Sequence, residues 1–273
     1  MRTTLLLLAL LGLGLGRLLS QEGSPPEKPA WVQHATTHLG LNFNRSYDQR
    51  LAPRSFYGLG LELGLGDRWV RPQTWHEYEI MVNPYAAAPL HAENFLSGGL
   101  LELSYRYLRR INPEASPWRL HLGGQVGTWG NLRIHGGLGN SLVHAEWVAY
   151  LGPLFQVARE AELPLLKGPS TLSARAHLPL LSYVGRLPAY SLPGFEAPAH
   201  YFRPFGGFTR LKTEISITRP KGQNNPNLTQ LSYVWDFYAL NEGFENSDYV
   251  DRLRWGMHSL RLTILLRKGD LEQ

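Results

Sequence analysis

Hydrophobic and polar residues alternate along most of the chain, and the pattern is clearest between residues 56 and 66. Large apolar residues occupy every second position there, opposite glycine or glutamate: Tyr57, Leu59, Leu61, Leu63 and Leu65 against Gly58, Gly60, Glu62, Gly64 and Gly66. A period of two indicates an extended strand with one apolar face and one small or polar face. The motif GLGLELGLGD lacks the lysine of a phosphate-binding loop, so we interpret its glycines as small residues on a crowded face.

Ten segments have this two-faced pattern: 37–44, 56–66, 75–82, 99–109, 118–128, 142–157, 171–183, 209–218, 229–239 and 257–267. Most are close to the roughly 9–11 residues that a tilted strand needs to cross a membrane. Connections after odd-numbered segments are predicted to be the longer ones, which is typical of a barrel with both termini on the periplasmic side. We therefore predict an all-β fold, a closed antiparallel transmembrane β-barrel of about ten strands. Eight or twelve strands remain alternatives if 75–82 and 129–135 are misassigned.

The first twenty residues have the layout of a cleavable secretory signal. Arg2 precedes an uncharged, leucine-rich stretch, and Arg17 is followed by small or polar residues around Ser20. This stretch is shorter than the roughly 20 apolar residues that a membrane-spanning helix requires. We predict a signal peptide over 1–20, a flexible leader over 21–36, the barrel over 37–269 and a C-terminal tail over 270–273. The predicted location is the outer membrane.

Positive charge is carried mainly by arginine, with 22 arginines against 5 lysines, and the chain has no cysteine. The absence of cysteine excludes disulfides and a lipid-modified N-terminal cysteine. Arginine is suited to forked pairing with carboxylates, and acids and bases are balanced on the polar faces of the predicted strands. The predicted lumen charge network consists of Glu62, Glu79, Glu102, Arg106, Arg119, Glu146, Arg175, Lys212, Glu214, Asp236, Arg261 and Arg267. Without residues 1–20 the formal net charge falls from +5 to +3, which does not indicate a nucleic-acid partner.

The signal, the ten two-faced strands and the alternating loop lengths resemble those of small outer-membrane β-barrels of diderm bacteria. The segments GNSLVHAEWVAYLGP (139–153) and LSARAHLPLLSYVGRLPAYS (172–191) also look like segments of uncharacterised barrels of this kind. The resemblance implies outer-membrane lipid and the barrel-assembly machinery as partners. Such barrels usually end on an aromatic residue that the assembly machinery recognises, whereas here the last predicted strand ends near Arg267 and is followed by Lys268 to Gln273.

Few residues are candidates for catalysis. Ten-stranded outer-membrane proteases are expected to carry paired aspartates and an Asp-x-His pair at the extracellular rim, and this sequence has neither. Ser141 lies between His135 and His144 around a glycine-rich loop, so a nucleophile–base pair is one interpretation. A turn serine with polar rim histidines is the ordinary alternative. No histidine spacing matches a metal site, so neither a metal nor a cofactor is expected.

The interior of so narrow a barrel is about wide enough for side chains to fill it. The main hypothesis is therefore a non-enzymatic protein with a charge-paired, largely filled lumen and a structural or surface-interaction role. The alternatives are a narrow, weakly selective, porin-like pore for a small solute and a lipid-modifying hydrolase. The loop over 184–208 is either a contact region for a surface partner or a plug folded into the mouth, through its aromatic residues Tyr190, Phe195, Tyr201, Phe202 and Phe205.

Overall fold

The computed structural model describes residues 31–48, 52–90, 94–136, 142–162, 168–186, 199–204, 208–222, 225–243 and 250–271. These residues form twelve β-strands: β1 Trp31–Asp48, β2 Ala52–Val70, β3 Thr74–Ala88, β4 Phe95–Arg110, β5 Trp118–Gly136, β6 Leu142–Glu162, β7 Pro169–His177, β8 Leu181–Arg186, β9 Ala199–Pro204, β10 Phe208–Gly222, β11 Asn225–Gly243 and β12 Val250–Leu271. No helix in the described ranges is long and apolar enough to cross a membrane.

The strands pair into one closed antiparallel barrel. Neighbours in the chain pair from β1 to β7 and from β10 to β12, while β7 pairs with β10 and β12 pairs with β1. The short strands β8 and β9 extend the wall, because β8 pairs with the first half of β6 and β9 pairs with β8. The ring therefore has ten strand positions, the seventh shared by β7 and β8 and the eighth by β9 and β10. The prediction of a closed ten-stranded barrel is confirmed.

The seventh strand position is interrupted, although the sequence pattern predicted one continuous strand over 171–183. Pro179 lies in the break and has no N–H to donate to a neighbouring strand. The flanking N–H groups of Leu178 and Leu180 still donate to β6, to Pro153 O at 3.3 Å and Leu151 O at 3.0 Å. The wall therefore stays attached to β6 across the break.

The strand bounds differ from the predicted ones because pairing extends the strands at both ends. β1 begins inside the predicted leader, and its first residue, Trp31, pairs with Leu271 at the end of β12, beyond the predicted barrel. Residues 1–30, which include the predicted signal peptide, lie outside the described residues. The predicted connections after the first and third segments were too long, because β1 continues to Asp48 and β2 begins at Ala52, while β3 continues to Ala88 and β4 begins at Phe95.

The two faces of the wall have opposite character. Apolar side chains form an exposed band around the outside, with Leu59 71% exposed and Leu41 66% exposed, whereas Glu62 is completely buried on the inside. Other members of the band are Leu39, Leu61, Leu63, Leu65, Ile80, Val82, Leu101, Leu103, Leu151, Phe155, Leu231, Leu260 and Leu262. A closed wall pairs its backbone groups within itself, and an apolar exterior around a polar interior suits hydrocarbon rather than water. The molecule is a transmembrane β-barrel.

Candidate functional site

The candidate site is the barrel interior, and the inward face of β2 explains how it accommodates long side chains. A Cβ atom at Gly64 would lie 1.9 Å from Cε1 of His38, so glycine leaves the space that this imidazole occupies. His38 lies between two carboxylates, with Nε2 3.4 Å from Glu62 and Nδ1 3.3 Å from Glu79. Glu62 also forms an ion pair with Arg261 from β12. Gly64 thus makes room for the imidazole that approaches Glu62.

The ionic groups nearest the chain ends, Glu62, Glu77, Glu79 and Glu214 with their cations, form what we call the proximal cluster. Glu77 is shared by three guanidinium groups, which approach it from β2, β4 and β7. The ion pairs join Arg261 to Glu62, Arg106 to Glu79, Arg68 to Glu77 at 3.0 Å, Arg106 to Glu77 at 3.5 Å, and Arg175 to Glu77 at 3.5 Å and to Glu214 at 3.8 Å. The cavity left between them measures about 20 Å³, room for roughly one water molecule.

A central cluster joins β4, β6, β10 and β11 across the interior. Glu102 accepts hydrogen bonds from Lys212 Nζ at 2.8 Å, Arg210 Nη2 at 3.1 Å and the Tyr150 hydroxyl at 2.6 Å. Arg210 also holds Asp236 with a forked contact, Nε to Oδ1 at 2.9 Å and Nη2 to Oδ2 at 2.6 Å. All five side chains are buried. Because forked, charge-assisted bonds are strong and directional, they fix the positions of these four strands.

A distal cluster lies farther from the chain ends and is centred on Glu146 of β6. This carboxylate forms an ion pair with Arg133 and accepts hydrogen bonds from Asn131 Nδ2 and the Tyr238 hydroxyl, each at 3.2 Å. The Tyr85 hydroxyl donates to Asn131 Oδ1 at 2.9 Å. The tyrosines connect this polar cluster to a group of packed aromatic rings.

That group, the aromatic layer, occupies the interior of the distal half and consists of Phe56, Tyr85, Trp129, Phe208, Tyr238 and Trp255. Ring centroids are 4.6 Å apart for Trp129 and Tyr238 and 4.9 Å apart for Tyr85 and Trp255. Buried leucines, including Leu96 and Leu240, pack in the same cluster. The distal part of the interior is therefore filled by packed rings and leucines around the buried Glu146 cluster.

Two residues of the predicted charge network lie elsewhere. Arg119 is at the proximal rim, with its side chain 34% exposed and 3.6 Å from Glu160. Arg267 is exposed, so its assignment to the lumen is wrong. Leu265 is the last inward-pointing residue in the alternation of inward and outward side chains along β12. Arg267 pairs with His34, and the register between β1 and β12 shifts by one residue between His34 and Gln33. The other ten residues of the predicted network belong to the three clusters.

Sequence reasoning missed Glu77, Arg133 and Arg210 as interior charges. Arg210 is two residues before Lys212 on β10, and residues two apart on a strand point to the same face. The alternating pattern therefore already indicated that Arg210 points inward. Arg133 lies between the predicted strand segments 118–128 and 142–157, although β5 continues to Gly136. Arg133 and Arg210 also belong to the largest fully buried side chains.

The candidate catalytic residues are only partly described. His135 and His144 are buried on the inward faces of the adjacent strands β5 and β6, and the His135 ring lies 5.5 Å from that of Phe56. Ser141 lies outside the described residues, so the hydrolase interpretation stays a prediction. No group of three or more potential metal-ligating side chains occurs in the described part of the chain.

Most of the predicted surface-contact residues also lie outside the residues that the structure describes. Tyr190, Phe195 and Phe205 are not among the described residues, and for Tyr201 only the backbone position in β9 is described. Phe202, also in β9, is 64% exposed. The contact role of this aromatic group stays a prediction.

Structural alignment pairs the chain with several solved outer-membrane barrels. It aligns with the translocator domain of the autotransporter NalP from Neisseria meningitidis at 9% identity over 97% of this chain and 98% of that one, with a TM-score of 0.47. It aligns with the outer membrane protease OmpT from Escherichia coli at 10% identity over 92% and 99%, with a TM-score of 0.47. The toluene transporter TbuX from Ralstonia pickettii matches at 9% identity over 89% and 90%, with a TM-score of 0.24.

No protein-family model and no curated protein matches the sequence. The class of the molecule follows from its own architecture. Closed pairing, an apolar exterior and a buried, ion-paired interior together define a transmembrane β-barrel of the outer-membrane type.

Proposed function

We propose that the protein is a non-enzymatic outer-membrane barrel with a closed interior, and that it acts through its surfaces in a structural or interaction role. This proposal rests on the ion pairs inside the barrel. Each carboxylate of the three clusters contacts at least one cationic side chain, and Glu102 contacts two. An ion crossing the barrel would have to separate such buried pairs, which is costly because it leaves charges without partners.

The aromatic layer supports the same proposal. A conducting pore needs a polar, hydrated path along its whole length. The distal interior is instead occupied by buried rings and leucines, among them Trp129 and Trp255 with exposures of 2% and 1%. Wide aqueous channels are typical of barrels with about 16 strands, and ten strand positions enclose a much narrower interior.

The proposed location is the outer membrane, reached after export by the signal over residues 1–20. The partners in this proposal are outer-membrane lipid, which the exposed apolar band contacts, and the barrel-assembly machinery, which inserts proteins of this architecture. The surface partner has no chemistry assigned, since most residues of the predicted contact loop lie outside the described ranges.

Planar-bilayer recording tests the proposal. The purified full-length protein is expected to give no discrete conductance steps, because side chains occupy both halves of the interior. Insertion is verified on the same preparation by heat-modifiable electrophoretic migration and protease protection, and a wide porin serves as the conducting control. Discrete steps from inserted protein would refute the closed interior and favour the narrow pore. Acyl release from lipid vesicles that disappears in Ser141→Ala would instead support the hydrolase alternative.

A further inference from the structure

A groove on the outer wall lies just beyond the apolar band, at the end of the barrel opposite Trp31 and Leu271. It spans β1, β2, β11 and β12 and has a volume of about 740 Å³, which is within the usual range of ligand pockets. Its apolar side includes Phe43, which is 46% exposed. Its floor is open at Gly256, where a Cβ atom would meet no other atom within 4 Å.

Two arginines from different strands line the groove. Arg45 of β1 donates from Nη2 to Ser55 Oγ at 3.3 Å, and its guanidinium carbon lies 5.4 Å from the ring centre of Tyr57. Arg254 of β12 is exposed. Neither guanidinium has a carboxylate partner among the residues that the structure describes, and no described residue lining the groove is acidic. The interior arginines of the charge clusters are, by contrast, all paired.

We propose that this groove binds the phosphate of a membrane lipid and receives one acyl chain against Phe43 and Gly256. Two exposed guanidiniums offer forked donors that match a phosphate group, and a cation at the lipid–water boundary gains from an anionic headgroup. A barrel threaded from the periplasm keeps its termini on that side. The groove therefore faces the outer leaflet, and the proposed occupant is the phosphorylated glycolipid of that leaflet. This inference goes beyond the proposed function and does not depend on whether the interior conducts.

Native mass spectrometry of the purified full-length protein tests the proposal, with lipid A as the probe. Lipid A is expected to bind the unmodified protein at least tenfold more tightly than the double variant Arg45→Gln/Arg254→Gln. Arg159→Gln is the matched control, because Arg159 is an exposed arginine stacked on Trp118 near the opposite end of the barrel. The affinity of the Arg159→Gln variant for lipid A is expected to equal that of the unmodified protein. Heat-modifiable electrophoretic migration checks that every variant is folded.

Further measurements distinguish binding in the groove from attraction by the arginine charges alone. Gly256→Leu keeps both arginines but fills the floor of the groove, so affinity is expected to fall several-fold. Dephosphorylated lipid A and inorganic phosphate are each expected to bind at least tenfold more weakly than lipid A. Equal affinity of lipid A for the double variant, equal binding of the dephosphorylated lipid or of inorganic phosphate, or tighter binding of phosphatidylglycerol would each overturn the proposal.

Discussion

Replacing Glu102 by glutamine is expected to lower the free energy of unfolding by about 3–5 kcal/mol, the usual cost of breaking a buried ion pair. The substitution preserves the shape of the side chain but removes the charge that Arg210 and Lys212 share at 3.1 and 2.8 Å. Arg210 retains Asp236, whereas no second carboxylate is in contact with Lys212 among the described ion pairs. An uncompensated ammonium group would then remain in the interior.

Urea unfolding in phospholipid vesicles, followed by tryptophan fluorescence, measures this effect. The matched control is Glu160→Gln, which removes a carboxylate that is 75% exposed and 3.6 Å from Arg119. Such a surface pair contributes about 0–1 kcal/mol, so the control is expected to change stability little. Adding Lys212→Met to Glu102→Gln is expected to recover part of the loss. Equal destabilisation by Glu102→Gln and Glu160→Gln would show that Glu102 is not in a buried network.

Replacing Gly66 by valine is expected to destabilise the barrel by about 3 kcal/mol, at the upper end of the range for overpacking. A Cβ atom at this position would lie 2.1 Å from the carbonyl oxygen of Tyr78 in the neighbouring strand. That oxygen belongs to the backbone, so a side-chain rotation cannot relieve the contact. β2 and β3 would have to move apart, which would weaken their hydrogen bonds.

The matched control is Gly99→Val in β4, because a Cβ atom there meets nothing within 4 Å. The folded fraction of each variant is measured from heat-modifiable migration after refolding into vesicles, together with the urea midpoint. Gly66→Val is expected to lose folded protein and Gly99→Val to keep it. A similar loss in both variants would show that the effect is the general cost of replacing glycine. It would contradict the claim that the inward face of β2 is crowded.

The alternation of apolar and polar residues was sufficient to predict the number of strand positions and most side-chain directions. Glu62, for example, alternates in step with the glycines of β2, and this alone predicts that it points inward. The strand ends were not predictable in this way. Residues 31–36 become part of β1 because they pair with the end of β12, a contact between distant parts of the chain.

The partners within the site were also beyond the sequence pattern. Parity predicts that Glu102 and Lys212 point inward, but their contact depends on the tilt and closure that bring β4 opposite β10. The aromatic layer was missed for a different reason. Trp129 and Phe208 were assigned to loops, since the strands that carry them were predicted to end too early or begin too late.

Spin labels on outward leucine positions of β2 and β11 test the central claim most directly, namely that the leucine face contacts hydrocarbon. The chain has no cysteine, so Leu61→Cys and Leu231→Cys each give a single labelling site. These leucines are 49% and 47% exposed on the outer wall. In lipid vesicles, labels at both positions are expected to collide frequently with oxygen and rarely with a water-soluble nickel complex. Labels shielded from both reagents, or readily reached by nickel, would contradict the transmembrane barrel.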